Sequence, residues 1–388
     1  MSMKSFISGF VQLTGLVIIL ISFVDIYMTV LYPRTGKGVI SSRLYKGTWR
    51  LFRGLSRLPI KGGKNVLSYC GPTLPVVIVV VWVSGFVLGF ALLIWPALGS
   101  GIQASQGKTP TDFSTALYYS GYALTTLGIG DLVPQTDVWQ LITILEAAVG
   151  FTVITASLTY LLSIYTALTQ RNTFALNLYH RSVRQADAAV LLVGLKGQGR
   201  FEPAAQEIPT IIRELLLISE LHHAYPILHY FRFQEPKYAL ARVALICLDL
   251  TTLIKTALHP QAYASLINSS AVAGLESSGL DLVFQLADSF LSERYLDQPT
   301  FSKDWRSRYY SAIAYLQQHD IETVTDIQAG ADHYVKMRGQ WNHAVIAFAQ
   351  YMDYSWHDIT LFEDMQKAEL SAEQNSIKKT TTKLPFIK

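Results

Sequence analysis

The sequence predicts an all-α membrane protein with three spans, a short re-entrant helix between the second and third, and a helical C-terminal half. Three observations carry this. Hydrophobic residues make up 50% of the 388 and charged residues only 15%, and the apolar excess lies before about Ala167, in three runs that each reach the roughly 20 helical residues a bilayer core requires. Nine lysines and arginines, with no acidic residue, fill the segment between the first two runs. A short helix-compatible stretch and a glycine-alternating heptapeptide, Thr125-Thr126-Leu127-Gly128-Ile129-Gly130-Asp131, lie between the second and third.

The first span is expected over Phe6 to Leu31. Its apolar run exceeds a signal-peptide core, and Tyr32-Pro33-Arg34 follows in place of a small-residue cleavage site. Asp25 falls in its inner third; pairing with a neighbouring helix or snorkelling to the interface is the expected role.

The segment from Pro33 to Val66 carries Arg34, Lys37, Arg43, Lys46, Arg50, Arg53, Arg57, Lys61 and Lys64. Basic loops stay on the cytoplasmic side. Arg43, Lys46, Arg50, Arg53 and Arg57 recur at three- and four-residue steps beside Leu44, Trp49, Leu51, Phe52 and Leu55. That spacing predicts an amphipathic helix on the inner leaflet, partnered by anionic membrane lipids. Pinned between two spans, this charge does not point to nucleic acid.

The second span is expected over Val76 to Ala97, its entry punctuated by Pro72 and Pro75, and a Gly-rich polar connection follows over Gly99 to Thr109. Pro110-Thr111-Asp112 signals a helix start with Asp112 as N-cap. Phe113 to Leu124 is too short to span and suits a re-entrant half-helix buried in protein. Tyr118, Tyr119 and Tyr122 are expected to pack or hydrogen-bond around the loop that follows. In that loop two glycines permit dihedrals other residues avoid, so an extended backbone can turn its carbonyls one way. Rings of such carbonyls replace the hydration shell of a cation.

The third span is expected over Val138 to about Ala167. It carries Glu146, an intramembrane acid expected to brace the loop by bonding to the half-helix, and Gly150, twenty residues after Gly130. Thr152, Thr155 and Thr159 share one face, lining a wet cavity or bonding back to their own helix.

Thr126-Leu127-Gly128-Ile129-Gly130-Asp131 resembles the T-x-G-[YF]-G-D signature of pore-loop potassium channels of the two-transmembrane-core, prokaryotic type, with Thr125 extending the match; Ile129 stands where most members have an aromatic ring. The resemblance covers about Val76 to Ala167. It implies a potassium-channel-like pore of outer helix, pore helix with filter, and inner helix. It implies ion binding at Thr126, Leu127, Gly128, Ile129 and Gly130, filter support from Thr125, Asp131, Tyr122 and Glu146, a gating hinge at Gly150, and cavity lining by Thr152, Thr155 and Thr159. One filter per chain implies a homotetramer, with potassium ions in the filter and no organic cofactor. Alternatives are a non-selective monovalent cation channel and a non-conducting membrane-anchored sensor or scaffold.

A filter facing outside runs the second span inward-to-outward and the third back. The amino terminus is then outside and everything after Ala167 cytoplasmic, in agreement with the basic segment. The divisions read as 1–32, the first helix; 33–74, the basic segment; 75–168, the pore; 169–370, a helical cytoplasmic regulatory domain; and 371–388, a Lys- and Thr-rich disordered tail. Helices are expected over Phe174 to Leu192, Ala205 to His223, Pro236 to Leu258, Leu280 to Arg294, Trp305 to His319 and Trp341 to Met352. Gly194, Gly197 and Gly199 have the wrong order for a dinucleotide loop. His222, His223 and His229 with Glu220 lack metal-ligand spacing and read as exposed or helix-end residues. Cys70 and Cys247 form no disulfide framework. Nothing supports an enzyme, and an unidentified cytoplasmic ligand is the remaining partner class.

Overall fold

The computed structural model describes residues 3–32, 38–58, 63–185, 187–197, 201–290 and 302–360. Arg34, Lys37, Lys61, Gly199 and the tail 371–388 lie outside the described residues. The chain forms two compact units: one, Met1–Leu168 with Leu221–Arg232, is called the pore unit after the resemblance described above, and the other is a C-terminal unit, Thr169–Glu220 with Phe233–Lys388. The fold is all-α apart from one pair of short strands.

In the pore unit, α1 (Met3–Ile26) continues as a π-turn over Tyr27–Leu31. It is followed by α2 (Ser41–Ser56), the short α3 (Gly63–Val66), α4 (Cys70–Ile94), β1 (Ile102–Ala104), α5 (Phe113–Leu124), β2 (Leu132–Pro134) and α6 (Asp137–Arg181). Three of its helical stretches are long and apolar enough to cross a membrane: Phe6–Leu31, Leu67–Ala97 and Asp137–Arg181. α1 lies against α4 through small residues. A Cβ at Gly15 would fall 2.5 Å from the Gly89 carbonyl oxygen, and one at Gly85 2.5 Å from Ser22 Oγ. Without a hydrophobic force between helices in lipid, such close backbone approach supplies the attraction.

Asp25 is fully buried and pairs across helices rather than snorkelling. Its carboxylate accepts from the Ile40 N–H (2.7 Å), the Ser41 N–H (3.2 Å), the Ser41 hydroxyl (2.5 Å) and Trp82 Nε1 (2.8 Å). The acid thus sits at the N-terminus of α2, where free N–H groups and the helix dipole favour negative charge, and joins α1, α2 and α4.

Two expected boundaries are corrected. Pro72 and Pro75 lie inside α4 rather than before it; Pro72 stands in the first turn, where the N–H groups lack an intrahelical acceptor, whereas Pro75 stands sixth and forgoes one helical bond. The third span does not end at Ala167: α6 runs 45 residues to Arg181. Hydropathy falls after Ala167, but no Gly or Pro follows before the helix stops. The expected helix Phe174 to Leu192 is therefore divided, with a turn after Arg181 in which Val183 and Arg184 take positive φ (52° and 65°).

The C-terminal unit holds the end of α6, then α7 (Ala188–Gly194), α8 (Ala204–Ala224, which passes into the pore unit), α9 (Leu240–Ala257), α10 (Ala264–Ile267), α11 (Ser270–Phe290), α12 (Ser302–Gln318), α13 (Ile327–Gly339), α14 (Asn342–Tyr351) and α15 (Trp356–Thr360). The helix expected from Leu280 starts ten residues earlier, at Ser270, and α13 was not expected. α9 is the centre: every residue in it except Lys255 is buried, among α7, α11, α12, α13 and α14. Within this apolar core Asp249 receives Arg338 (2.9 Å) and Arg308 (3.3 Å), and Arg308 also reaches Asp187 (2.6 Å), which caps α7. The two carboxylates raise the Arg308 guanidinium above its ordinary value against the opposing effect of burial. Burial pushes the Cys247 thiol up to about 12. Of the histidines expected to be exposed or at a helix end, His222 and His223 stand in the last turn of α8 and His223 is exposed, but His222 and His229 are buried, rings 4.6 Å apart edge to face. Both belong to Leu221–Arg232, the stretch that folds with the first unit. No metal-binding cluster occurs among the described residues.

Candidate ion-conduction site

The loop at the centre of the site is shaped by the half-helix before it. Asp112 caps α5, accepting from the Thr115 N–H at 2.9 Å and from the Ser114 hydroxyl at 2.5 Å. Bonds from Ser114 and Thr115 push its carboxyl down to about 2. α5 ends after twelve residues, and the chain folds over its last turn: the Thr125, Thr126 and Leu127 N–H groups donate to the carbonyls of Gly121, Ala123 and Tyr122. These bonds satisfy terminal carbonyls that would otherwise be orphaned in an apolar setting.

Beyond them φ is positive at every second residue: Thr126 (57°), Gly128 (59°) and Gly130 (80°). In an ordinary strand successive carbonyls point to opposite sides. A backbone that alternates handedness turns them to the same side, and glycine pays least for the left-handed state. Thr126 holds it without that freedom, a strained geometry of the kind found at functional loops. Leu127 and Ile129 are 68% and 49% exposed in the single chain, and Thr125 and Asp131 are exposed as well.

The exit of the loop is fastened separately. Ser105 N–H donates to the Asp131 carbonyl (2.8 Å), and β2 pairs antiparallel with β1, Ile102 opposite Pro134, Gln103 opposite Val133 and Ala104 opposite Leu132. The Tyr122 hydroxyl donates to the Leu132 carbonyl at 2.9 Å, so α5 holds both ends of the loop. Tyr119 and Thr143 hydroxyls meet at 2.7 Å, joining α5 to α6. Tyr118 packs edge to face on Tyr122.

Glu146 is fully buried, and its Oε1 accepts from the Ser120 hydroxyl at 2.5 Å; the same hydroxyl lies 3.0 Å from the Val87 carbonyl. One serine therefore ties α5 to both flanking helices. Glu146 Oε2 has no hydrogen-bond partner among the described residues. One turn on, Gly150 lies against the end of α5: an added Cβ would overlap the Leu124 carbonyl oxygen. α6 continues unbroken through Gly150, so close packing by itself accounts for a glycine there. Thr152, Thr155 and Thr159 are exposed in the single chain, and each hydroxyl bonds back to the carbonyl four residues earlier, at 2.8, 2.9 and 3.0 Å.

Sequence reasoning missed Ser120, Thr143 and the β1–β2 clasp. A serine in the otherwise apolar face of a half-helix opposite an intramembrane acid was a usable signal for the first. The clasp had none, because strands of three residues are too short for alternation to register.

A family model described as an ion channel matches residues 76–167, the segment from α4 through the loop into α6. An uncharacterized membrane protein of Bacillus subtilis (strain 168), YdjJ, is 32% identical over 243 residues, which is 62% of this chain and 68% of that protein. No solved structure matches the chain. With a capped half-helix, a loop of alternating handedness and two long flanking helices, the chain belongs to the pore-loop ion channel family.

Proposed function

We propose that the chain is a homotetrameric, potassium-selective channel that conducts passively, not catalytically, through carbonyls of Thr126 to Gly130. The observation that carries this reading is the positive φ at Thr126, Gly128 and Gly130, which places carbonyls on one side of the loop. A single loop cannot enclose an ion, and four copies around an axis can. The loop's exposed flank in the single chain suits that use. Thr125, Asp131, Tyr122 and Glu146 hold the filter, Thr152, Thr155 and Thr159 line the cavity below it, and Gly150 allows α6 to bend when the gate opens. Four strands of negatively polarised oxygens select cations, and their spacing discriminates between monovalent ions. The filter faces outward, the C-terminal unit lies in the cytoplasm of a cell with this channel in its plasma membrane, and that unit gates α6, in response to an as yet unidentified ligand.

Ile129 favours a second reading. It has no hydroxyl with which to tie the filter from behind, and a looser filter passes monovalent cations without preference. Purified protein in liposomes under a potassium gradient, repeated with sodium, tests both. Potassium flux well above sodium, abolished in Gly128→Ala, supports selectivity. Equal flux moves the reading to non-selective conduction. No flux, persisting in an intact tetramer with the chain beyond Gln170 removed, leaves a membrane-anchored sensor.

A further inference from the structure

α2 has two faces with different neighbours. On one, Tyr45 and Trp49 are buried one turn apart. Their rings lie 5.9 and 5.7 Å from that of Tyr230, and the Tyr45 hydroxyl is 2.9 Å from the Tyr160 hydroxyl of α6. Tyr160 in turn packs on Trp82 of α4 (6.0 Å) and on Tyr225 (6.4 Å). Tyr225 and Tyr230 belong to Leu221–Arg232, a stretch far along the sequence that is nonetheless part of the pore unit. Its Phe231 covers Gly71 so closely that an added Cβ would fall 2.7 Å from the ring.

On the other face Arg43, Lys46, Arg50 and Arg57 are exposed, with Arg53 half-buried between them, beside exposed Leu51, Leu55 and Leu58. No Asp or Glu occurs anywhere between residues 33 and 66. The first turn of α2 is fixed through Asp25 to α1 and α4, the two apolar spans. A partner for this face must supply negative charge and an apolar layer side by side, where two membrane helices end. An anionic leaflet offers both. Nucleic acid offers the charge but no place for the leucines.

We propose that the exposed face of α2 binds anionic phospholipid headgroups, and that their occupancy is relayed to α6 through the Tyr45–Tyr160 hydroxyl pair. The binding half stands on α2 alone; the regulatory half rests on the channel reading above. The hydroxyl pair is buried and is a direct polar link between the helix with the basic face and the helix that lines the proposed pore. A shift of α2 toward bound headgroups is therefore felt at Tyr160, next to Thr159 of the proposed cavity face.

The test uses full-length protein in phosphatidylcholine vesicles with and without phosphatidylglycerol, and three readings. The first is affinity for a fluorescent phosphatidylglycerol. Changing Arg43, Lys46, Arg50 and Arg57 together to Gln should weaken it by at least about tenfold, since each cation near an anionic surface contributes roughly fivefold; unchanged affinity overturns the site. The second is thiol labelling of Thr159→Cys, an exposed position beside Tyr160, against the buried Cys70 and Cys247. Phosphatidylglycerol should change its labelling rate in the parent and not in Tyr45→Phe, which keeps the ring and loses the hydroxyl. A lipid response that survives Tyr45→Phe overturns the relay. The third is potassium flux: lipid-dependent labelling with no flux in either vesicle sustains the lipid site and its relay while counting against the channel reading.

Discussion

Both units bury carboxylates, and they compensate them differently. In the pore unit Asp25 and Glu146 are met by neutral donors: backbone N–H groups, two serine hydroxyls and an indole. In the C-terminal unit Asp187 and Asp249 are met by the guanidiniums of Arg308 and Arg338. The surroundings explain the difference. A guanidinium held among apolar spans costs several kcal/mol at the centre of a bilayer, whereas a helix N-terminus brings partial charge that is already dehydrated. In the C-terminal unit the long arginine side chains can cover apolar surface and bring their charge inward. Trp305 and Trp341 flank Arg338, at 5.9 and 5.3 Å from its guanidinium to their ring centroids, and complete its cage.

The two kinds of site should therefore break differently. The largest effect is expected at Asp249. Asp249→Ala leaves two buried guanidiniums short of their shared carboxylate, a loss of about 3–5 kcal/mol, and Asp249→Asn should recover little because an amide brings no charge. Proteolysis of the C-terminal unit in rising urea reads this; a midpoint shift no larger than that of an exposed control would break the comparison. Next is Gly150→Ala. The added methyl has to displace the Leu124 carbonyl at the end of α5, and overpacking of this kind costs about 1–3 kcal/mol. The thermal midpoint of the purified protein should fall and ion flux with it, since the Thr125–Leu127 turn is built on the same carbonyl end. A fully active Gly150→Ala would show that α6 does not rest on the Leu124 carbonyl at the end of α5.

The pore unit was the more legible half, for reasons that lie in particular residues. Apolar length gives the spans, Asp112 gives the start of α5, and the glycines of the loop give its backbone. What could not be read were features set by contact. The end of α6 at Arg181 is fixed by left-handed Val183 and Arg184, residue types that carry no such preference. α13 buries Gly330, Ala331, Tyr334 and Arg338, a face too small and too polar for hydrophobic periodicity, although Asp326 capping its start (2.9 Å from the Ala329 N–H) was a readable signal. The packing of α1 on α4 has a signal in the sequence as well, Gly85-x-x-x-Gly89, whose small residues admit the close approach. Adjacent histidines suggest exposure only until Leu221–Arg232 is seen to fold into the pore unit, which no local rule reveals.

A third expectation sharpens the neutral-donor side of the comparison. Ser120→Ala removes the hydroxyl that serves Glu146 and leaves a buried carboxyl oxygen without its donor, a cost of about 1–3 kcal/mol. Glu146→Gln should cost less than about 1 kcal/mol, because an amide can both accept from Ser120 and donate to it. On the proposed channel reading, the tetramer it requires should persist in Glu146→Gln with altered conductance. Measured side by side with Asp249→Asn, the two isosteric changes separate the sites: tolerated where the partners are neutral, damaging where they are cations. Equal losses would erase the distinction drawn above.

The smallest effect belongs to Asp112. It is exposed, so its contribution is local and partly screened by solvent, yet it caps α5, the half-helix on which the proposed filter loop is built. Its folded carboxyl lies below the ordinary carboxylate range because Ser114 and Thr115 donate to it. A depressed value means that the stabilisation is present above that ordinary range and is lost as pH falls through it toward about 2. Asp112→Ala should therefore lower the thermal midpoint by less than Ser120→Ala does at neutral pH, and the gap between Asp112→Ala and the parent should close as pH is lowered toward that value. Asp112→Asn, which keeps an accepting oxygen for the Thr115 N–H, should sit between them and show no such pH dependence. A gap that stayed constant with pH would mean that the hydrogen bond rather than the charge holds the start of α5. Neutral donors and acceptors would then suffice throughout the pore unit, and its contrast with the arginine-paired core would be complete.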